Sequence, residues 1–320
     1  MDARMQALPF DASALAQLST RLIESHHANN YGGAVKRLNA IRAQLHNLSF
    51  ARAPGYELNG LKREELIATN SMLLHELYFG SLGGDGQTLE AAWRLALAAS
   101  FGSVERWRDE FVAMGKALGG GSGWVLLVFQ PREGTLVNQW AADHTHALAG
   151  GVPLLALDMY EHAYHMDFGA AAGAYVDAFM ANINWAAVYG RYQQAVHAAS
   201  DAFGVTAAEL AAELAAELTA DGATAGQATL LLDVRRAGVF EQAAALIPGA
   251  RWQDPENVAT WAGELAAERE VVVYCVYGHE VGRATALRLR AAGVQARYLS
   301  GGIDGWKSGG RPLQPKGVPS

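Results

Sequence analysis

Cys275 is the only cysteine in a chain of 320 residues, and its surroundings are those of a reactive thiol. It follows the apolar run 271–274 and begins the segment Cys-Val-Tyr-Gly-His-Glu, after which a helical pattern starts near Val281. A strand, a tight loop and a helix N-terminus direct backbone N–H groups at the sulfur, lower its pKa and form an anion pocket. We therefore predict a nucleophile; the alternative is a buried, inert cysteine at a strand end.

Histidine and aspartate residues earlier in the chain form a second group that could do chemistry. His26 and His75 belong to two separate predicted helices, whereas Asp158 and His162 stand four residues apart, at a strand end and in the turn after it. Three imidazoles and one carboxylate suit a redox-active first-row metal such as iron or manganese. Each histidine could instead be an exposed or satisfied side chain, and His27 is an alternative to His26.

Hydrophobic periodicity predicts the elements that position these groups. In the first 200 residues it predicts a long helix within residues 1–50, helices over about 63–82, 88–118 and 170–200, and buried strands over 124–129 and 154–157. Beyond Gly204, a capping box formed by Thr206 and Glu209 starts a helix, and strands over 230–233, 271–274 and 294–299 then alternate with helices. This alternation favours a parallel α/β sheet, with a domain boundary near residues 200–204.

Composition narrows the class of protein. The apolar fraction of 51 % can fill a core without disulfides, and a single cysteine favours a reducing compartment. The net charge of −7 argues against nucleic acid as a partner. No apolar run approaches the roughly 18 residues that span a bilayer, and no signal peptide follows the first methionine. We expect a cytoplasmic protein with neither a nucleic-acid nor a membrane partner.

The segment 158–164, Asp-Met-Tyr-Glu-His-Ala-Tyr, resembles the signature Asp-x-Trp-Glu-His-Ala-Tyr of the iron/manganese superoxide dismutase family. The resemblance covers about residues 5–195 and includes Leu-Pro-Phe at 8–10 and Gly-Ser-Gly-Trp at 121–124. It implies a helical hairpin over residues 1–90, an α+β metal-binding region over 91–200, and conversion of superoxide to oxygen and hydrogen peroxide.

This resemblance implies that His26, His75, Asp158 and His162 bind one iron or manganese ion per chain. His144 falls where the family usually carries a glutamine that holds a water at the metal and tunes its potential, so we infer a catalytic role for it.

Glu161 matches the glutamate that, in the family, bonds a ligand histidine across a two-fold interface, which implies a homodimer formed through the N-terminal domain. Four positions around the implied substrate entrance depart from the family pattern. The usual His and Tyr, one and two helical turns beyond the first ligand, are Asn30 and Ala34 here. The usual interface Tyr is His165, and an Arg that helps attract the anion is Gly169. Tyr31 or His165 could substitute for the lost groups.

Residues 204–318 resemble the rhodanese family through Leu-Asp-Val-Arg at 232–235, Cys275, and Gly-Gly-Ile-Asp-Gly-Trp at 301–306. The resemblance implies an α/β rhodanese-like domain with a parallel sheet over residues 201–320. Cys275 would take a sulfane sulfur from a donor, become a persulfide and pass the sulfur to a thiol acceptor. Backbone N–H groups of the loop would hold the charge; its residues are Val276, Tyr277, Gly278, His279, Glu280 and Val281.

The loop also departs from the rhodanese family pattern. Family loops often carry arginine directly after the cysteine and at the end of the loop, and these two positions are Val276 and Glu280 here. Glu280 would repel thiosulfate, and Arg283 or His279 could offset it, so the donor is thiosulfate, a persulfide or another oxyanion. Asp233 and Arg235 are interpreted as an ion pair that anchors the first strand.

Two functions from different classes follow. The leading hypothesis is a superoxide dismutase-like metalloenzyme with a fused sulfurtransferase. The alternative is a low-turnover dimeric metal-binding scaffold with a rhodanese-like sensor or binding module, acting in oxidative or oxyanion stress such as chromate stress.

Overall fold

The computed structural model describes residues 2–219, 229–265 and 269–317. Contacts along the chain define two compact units. The first unit comprises Met1–Leu89, Glu105–Val128 and Asn138–Tyr189, and the second comprises Glu90–Val104, Phe129–Val137 and Gly190–Ser320. Three short segments before residue 204 therefore share a compact unit with the rest of the chain that follows them.

The first 200 residues are mainly helical. Their helices are α1 (Thr20–Ser25), α2 (Gly32–Asn47), α3 (Gly55–Phe79), α4 (Ala91–Phe101), α5 (Val104–Ala117), α6 (His165–Phe168), α7 (Ala172–Ala181) and α8 (Trp185–Ser200). A π-helix, His26–Tyr31, joins α1 to α2, and short 3₁₀ helices cover Ala12–Ala14, Glu161–Ala163 and Asp201–Phe203. Strands β1 (Trp124–Gln130), β2 (Thr135–Ala141) and β3 (Val152–Asp158) form a sheet with β1 in the centre.

Helices α2 and α3 form the predicted hairpin. Leu38, Ile41 and Leu45 lie on one face of α2 and pack against Ala68 of α3. Helix α3 begins at Gly55, eight residues before its predicted start at 63, and Pro54 directly precedes it, where the missing N–H of proline costs no helical hydrogen bond. The predicted 88–118 block is two helices, since Gly102 adopts a φ of +89° between α4 and α5.

The rest of the chain alternates strands and helices. Its strands are β4 (Gly204–Val205), β5 (Leu230–Asp233), β6 (Ala245–Leu246), β7 (Arg251–Trp252), β8 (Val271–Tyr274), β9 (Ala296–Leu299) and β10 (Gln314–Pro315). Its helices are α9 (Ala207–Thr219), α10 (Ala237–Glu241), α11 (Val258–Trp261), α12 (Glu280–Ala291) and α13 (Gly302–Ser308), with a 3₁₀ turn at Ala262–Glu264.

Five of these strands form a sheet in the order β4-β9-β8-β5-β7, and each adjacent pair is parallel. Val271 and Val273 of β8 face one apolar cluster, whereas Val272 and Tyr274 face another. A sheet that is buried on both faces explains why its strands are continuous apolar runs. The predicted parallel α/β fold is confirmed, and so is the capping box, in which Glu209 N–H donates to Thr206 Oγ1 at 3.2 Å.

Arg288 of α12 connects segments of the second unit that are far apart in sequence. Its Nε donates to the carbonyl of Gly134 at 3.0 Å, and its Nη2 donates to Ser100 Oγ at 3.1 Å. Gly134 lies so close to α12 that a Cβ there would stand 2.8 Å from Leu287 Cβ. The second unit is therefore packed at this point without room for a larger residue.

The predicted Asp233–Arg235 ion pair is present and buried. Arg235 Nε donates to both oxygens of Asp233 at 2.9 Å, and the two residues are 6 % and 0 % exposed respectively. Removing one partner leaves a buried charge without compensation. Asp233→Ala is therefore expected to lower the free energy of unfolding by about 3–5 kcal/mol, as measured by urea denaturation.

The matched control for this prediction is Asp177→Ala. Asp177 pairs with Lys116 at 3.0 Å, but the side chains of Lys116 and Asp177 are 45 % and 62 % exposed. An exposed pair of this kind contributes less than about 1 kcal/mol. Equal effects of the two substitutions would show that the buried pair does not anchor β5.

Within the described part of the chain, no helix has both the length and the apolar character needed to cross a membrane.

Candidate metal and thiol sites

Four side chains predicted as metal ligands converge in the first unit. His26 begins the π-helix, His75 lies on the last turns of α3, Asp158 ends β3, and His162 follows in the 3₁₀ turn. The Nε2 atoms of His26, His75 and His162 lie 3.1, 3.5 and 3.2 Å from Oδ2 of Asp158. One ligand atom from each residue lies within 4.8 Å of all the others. His27 lies outside this group, because its Nε2 bonds the carbonyl of Gln6.

Hydrogen bonding prepares this cluster for a cation. His75 Nδ1 donates to the backbone carbonyl of Ser71 at 2.6 Å, which leaves the lone pair on Nε2. That Nε2 is buried and, among the described residues, has no hydrogen-bond partner. Because an unsatisfied buried nitrogen is unfavourable, the donor set of three imidazole nitrogens and one carboxylate oxygen fits a metal ion.

The protonation of these side chains also suits a metal site. Burial lowers the pKa of His26 and lowers that of His75 to about 3, so both imidazoles are neutral at pH 7. Burial by itself would raise the pKa of Asp158, but hydrogen bonds from His162 and His26 outweigh it and hold the pKa well below its ordinary value. His26 and His75 therefore present neutral nitrogen donors beside a single carboxylate.

His144 stands beside the cluster with its ring fixed in place. Its Nδ1 accepts a hydrogen bond from Trp124 Nε1 at 3.0 Å, so the neutral imidazole carries its proton on Nε2. Burial lowers the pKa of His144 and favours that neutral form. The ring stacks on Tyr160 with the ring centres 4.9 Å apart, and its centre lies 6.3 Å from that of His75.

The π-helix changes which residues lie near the first histidine. In a π-helix the backbone hydrogen bond joins residues i and i+5 rather than i and i+4. Here His26 and Tyr31 are the buried residues of the segment, whereas Asn30 is only half-buried. Tyr31 is buried and stacks on His75 with ring centres 6.5 Å apart. Its hydroxyl donates to Glu76 Oε1 at 2.9 Å and accepts from the Gln6 N–H at 2.7 Å. Burial raises the pKa of Tyr31 to about 12, so the phenol keeps its proton.

The other residues near the implied entrance occupy different environments. Asn30 is half-buried on the π-helix, and Ala34 is buried in α2. Glu161 and His165 are exposed on either side of His162, and Gly169 adopts a φ of +54° directly after α6. These five positions therefore do not share one environment, since Ala34 is buried whereas Glu161 and His165 are exposed.

Cys275 stands at the end of β8, and α12 begins five residues later at Glu280. The loop between them is held by α13, since the N–H groups of Ile303 and Asp304 donate to the carbonyls of Cys275 and Val276, both at 3.0 Å. Gly278 has a φ of +71°, and a Cβ there would lie 2.6 Å from the Leu299 carbonyl oxygen. Only glycine fits this tight turn.

The thiol is less acidic than the sequence suggested. Cys275 is 5 % exposed, and burial raises its pKa. Backbone N–H groups of Gly282, Gly278, His279 and Tyr277 oppose this effect only in part. The predicted lowering of the pKa is therefore wrong, because the energetic penalty of burying a thiolate exceeds the help of the loop amides.

Several contacting residues had no predicted role. Trp124 was recognised only as part of a motif, yet it orients His144. Gln193 of α8 donates to Glu280 Oε2 at 3.3 Å, and Arg236 lines a cavity next to Cys275. No short-range pattern identifies Gln193, because it is 87 residues away from its partner.

Comparisons with known proteins identify two regions. A family model described as iron/manganese superoxide dismutases, C-terminal domain, matches residues 90–191, and a model of the rhodanese-like domain matches residues 210–309. The chain is 65 % identical over 192 residues to a protein named superoxide dismutase [Fe] from Cupriavidus metallidurans, covering 60 % of this chain and 97 % of the relative.

More distant relatives carry either metal in their names. The chain is 33 % identical over 198 residues to superoxide dismutase [Mn] 1 of Haloferax volcanii, covering 61 % of this chain and 97 % of the relative. It is 34 % identical over 192 residues to superoxide dismutase [Fe] of Aquifex pyrophilus, covering 58 % of this chain and 88 % of the relative. Both resemblances found in the sequence are therefore confirmed.

Proposed function

Because the chain belongs to the iron/manganese superoxide dismutase family in its N-terminal part and carries a rhodanese-like domain after it, we propose that it dismutates superoxide and also transfers sulfur. The observation that carries the first activity is the convergence of three imidazole Nε2 atoms on Asp158 Oδ2. The loop that begins at Cys275 is the observation that supports the second activity, sulfur transfer.

The proposed metal ligands are His26, His75, Asp158 and His162, which together would hold one ion per chain. Iron is supported over manganese by the name of the relative at 65 % identity. A bound ion would supply the one-electron redox chemistry that both the oxidation and the reduction of superoxide require.

The surrounding residues would manage protons and position the reactants. Asp158 offsets positive charge within a buried site, and Ser71 fixes the tautomer of His75. His144 holds a proton on Nε2 beside the cluster, and Trp124 keeps that ring in one orientation. Tyr31 donates a hydrogen bond to Glu76, which holds its phenol ring in place as part of the wall of the site.

A homodimer through the N-terminal domain is part of the proposal. Glu161 is exposed next to His162, which is only half-buried in the single chain. A second copy that approached this surface could place its own carboxylate near the imidazole. This arrangement would complete the surroundings of the one ligand that the chain leaves accessible.

At the second site, the Cys275 thiolate would attack the outer sulfur of a sulfane donor. The donor's S–S bond breaks, its remaining part leaves with the electron pair, and a persulfide forms on Cys275. A thiol acceptor then takes that sulfur and regenerates the cysteine. Backbone N–H groups of the loop would stabilise the charge during both steps.

Superoxide dismutation per bound metal tests the proposed enzyme directly. We expect about one iron ion per chain and a second-order rate constant near the diffusional ceiling of about 10⁸–10⁹ M⁻¹s⁻¹. The measurement is pulse radiolysis on protein whose iron and manganese have been quantified. A filled site with a rate that is orders of magnitude lower would instead make the N-terminal domain a low-turnover metal-binding scaffold.

Trp124→Phe tests the role of His144. The substitution keeps an aromatic ring but removes the N–H that holds His144 Nδ1. Dismutation per bound metal is expected to fall by about 10- to 100-fold, as is typical when an outer partner of a metal site is lost. Trp140→Phe is the matched control, since Trp140 is 54 % exposed. Unchanged dismutation rates in both variants would show that the orientation of the His144 ring does not contribute to the reaction.

A further inference from the structure

A cavity of about 120 Å³ adjoins Cys275 inside the second unit. The loop 276–281 forms part of its wall, together with Arg235, Arg236 and Ala92 of α4. The cavity is open on one side, so a donor can reach the sulfur while part of it remains outside the cavity. Its charged side chains therefore decide which small donors can reach the sulfur.

Only one of the two cavity arginines is available to a ligand. Arg235 is committed, because its guanidinium bonds both oxygens of Asp233 and the carbonyl of Ala245. The guanidinium of Arg236 makes no hydrogen bond or ion pair with any residue that the structure describes. Arg236 thus offers the cavity a positive group suited to a carboxylate.

Glu280 also lines this cavity. Glu280 is 6 % exposed, and its Oε2 accepts a hydrogen bond from Gln193 Nε2 at 3.3 Å. The negative charge of Glu280 disfavours a dianion such as thiosulfate next to it and favours an ammonium group. The cavity therefore carries opposite charges on two different side chains.

We propose that the cavity at Cys275 selects a small zwitterionic persulfide of the α-amino acid type, whose carboxylate is bound by Arg236 and whose ammonium group is bound by Glu280. The inference rests on the proposed sulfur transfer at Cys275. In the transfer step, the thiolate attacks the outer sulfur of R–S–SH and the donor S–S bond breaks. R–S⁻ leaves with the electron pair and Cys275–S–SH forms, so the step needs no external oxidant or reductant.

The test compares four donors on the full-length protein: cysteine persulfide, the persulfide of 3-mercaptopropionate, the persulfide of cysteamine, and thiosulfate. The second donor lacks the ammonium group and the third lacks the carboxylate. Rates of sulfur gain at Cys275 are followed by intact mass and divided by the rates for the urea-unfolded chain. The relative rate with cysteine persulfide is expected to exceed the relative rate with each of the other three donors by at least about tenfold. A factor of this size corresponds to one charge-assisted hydrogen bond.

Two variants assign the groups. Arg236→Gln is expected to erase the preference for the donor carboxylate, and Glu280→Gln to erase the preference for the ammonium group and to raise the relative rate with thiosulfate. Arg251→Gln is the control, since Arg251 is exposed and does not line the cavity. If a variant fails to fold, the four donors on the unmodified protein still decide.

The outcomes separate the inference from the proposed function. No sulfur gain from any donor would overturn sulfur transfer itself. Sulfur gain with thiosulfate or a singly charged persulfide at the same relative rate as cysteine persulfide would leave that function standing and overturn the zwitterion selectivity.

Discussion

Asp158→Ala is expected to empty the metal site and to abolish dismutation. The Asp158 Oδ2 atom is the point on which three imidazole Nε2 atoms converge, at 3.1 to 3.5 Å. Without it, the buried site has no negative charge among its proposed ligands to offset a divalent or trivalent ion. Loss of an outer partner already weakens a metal site by about 10- to 100-fold, so loss of this ligand should exceed that range. The measurement is iron and manganese per chain after dialysis.

A second readout is independent of activity. Metal that binds only the folded state raises the melting temperature, and chelation should remove this gain from the unmodified protein. The Asp158→Ala variant should show no such gain. Asp177→Ala, which changes an exposed carboxylate on α7, should keep its metal and its melting temperature. Stoichiometric metal in Asp158→Ala would refute the ligand assignment.

Cys275→Ser is expected to reduce sulfur transfer to background while the metal content stays unchanged. The hydroxyl of serine is a far weaker nucleophile than a thiolate, and the chain has no other cysteine to replace it. The measurement is sulfur release to a thiol acceptor, with metal analysis on the same sample. Persistent sulfur transfer would place the nucleophile elsewhere.

The pH profile of the unmodified protein gives a companion test. Because burial raises the pKa of Cys275, the reactive thiolate is scarce at neutral pH and its population grows as pH rises. The sulfur-transfer rate should therefore keep increasing beyond about pH 8.5, the ordinary pKa of a cysteine. A rate that is already constant from about pH 7 would contradict a raised pKa.

The metal cluster was predictable from sequence because its residues belong to a recognisable motif and to regular elements. Asp158 and His162 lie close together in the chain, and His26 and His75 each come from a separate helix. The parallel sheet was predictable for a similar reason, since each buried strand is a short apolar run. Local pattern was sufficient wherever the controlling interactions are themselves local.

Other features depend on distances that no local pattern records. Helical spacing of i+4 pointed to Asn30, but in the π-helix it is Tyr31 that is buried with His26 and stacks on His75. The pKa of Cys275 depends on its near-complete burial, which outweighs the loop amides on which the sequence-based prediction relied. Strand β2 was missed because its exposure varies without strict alternation along Thr135–Ala141.

The contacts of Arg288 bear on how this chain could be inherited or engineered. Its guanidinium is anchored by Gly134 and Ser100, which precede the rhodanese-like match, although Arg288 itself lies inside that match. A gene fragment that encoded only the rhodanese-like region would produce Arg288 without either of these two hydrogen-bond acceptors. The rhodanese-like region is therefore not independent of the segment before it, because a substitution at Arg288 would remove the donor that bonds Ser100 and the Gly134 carbonyl.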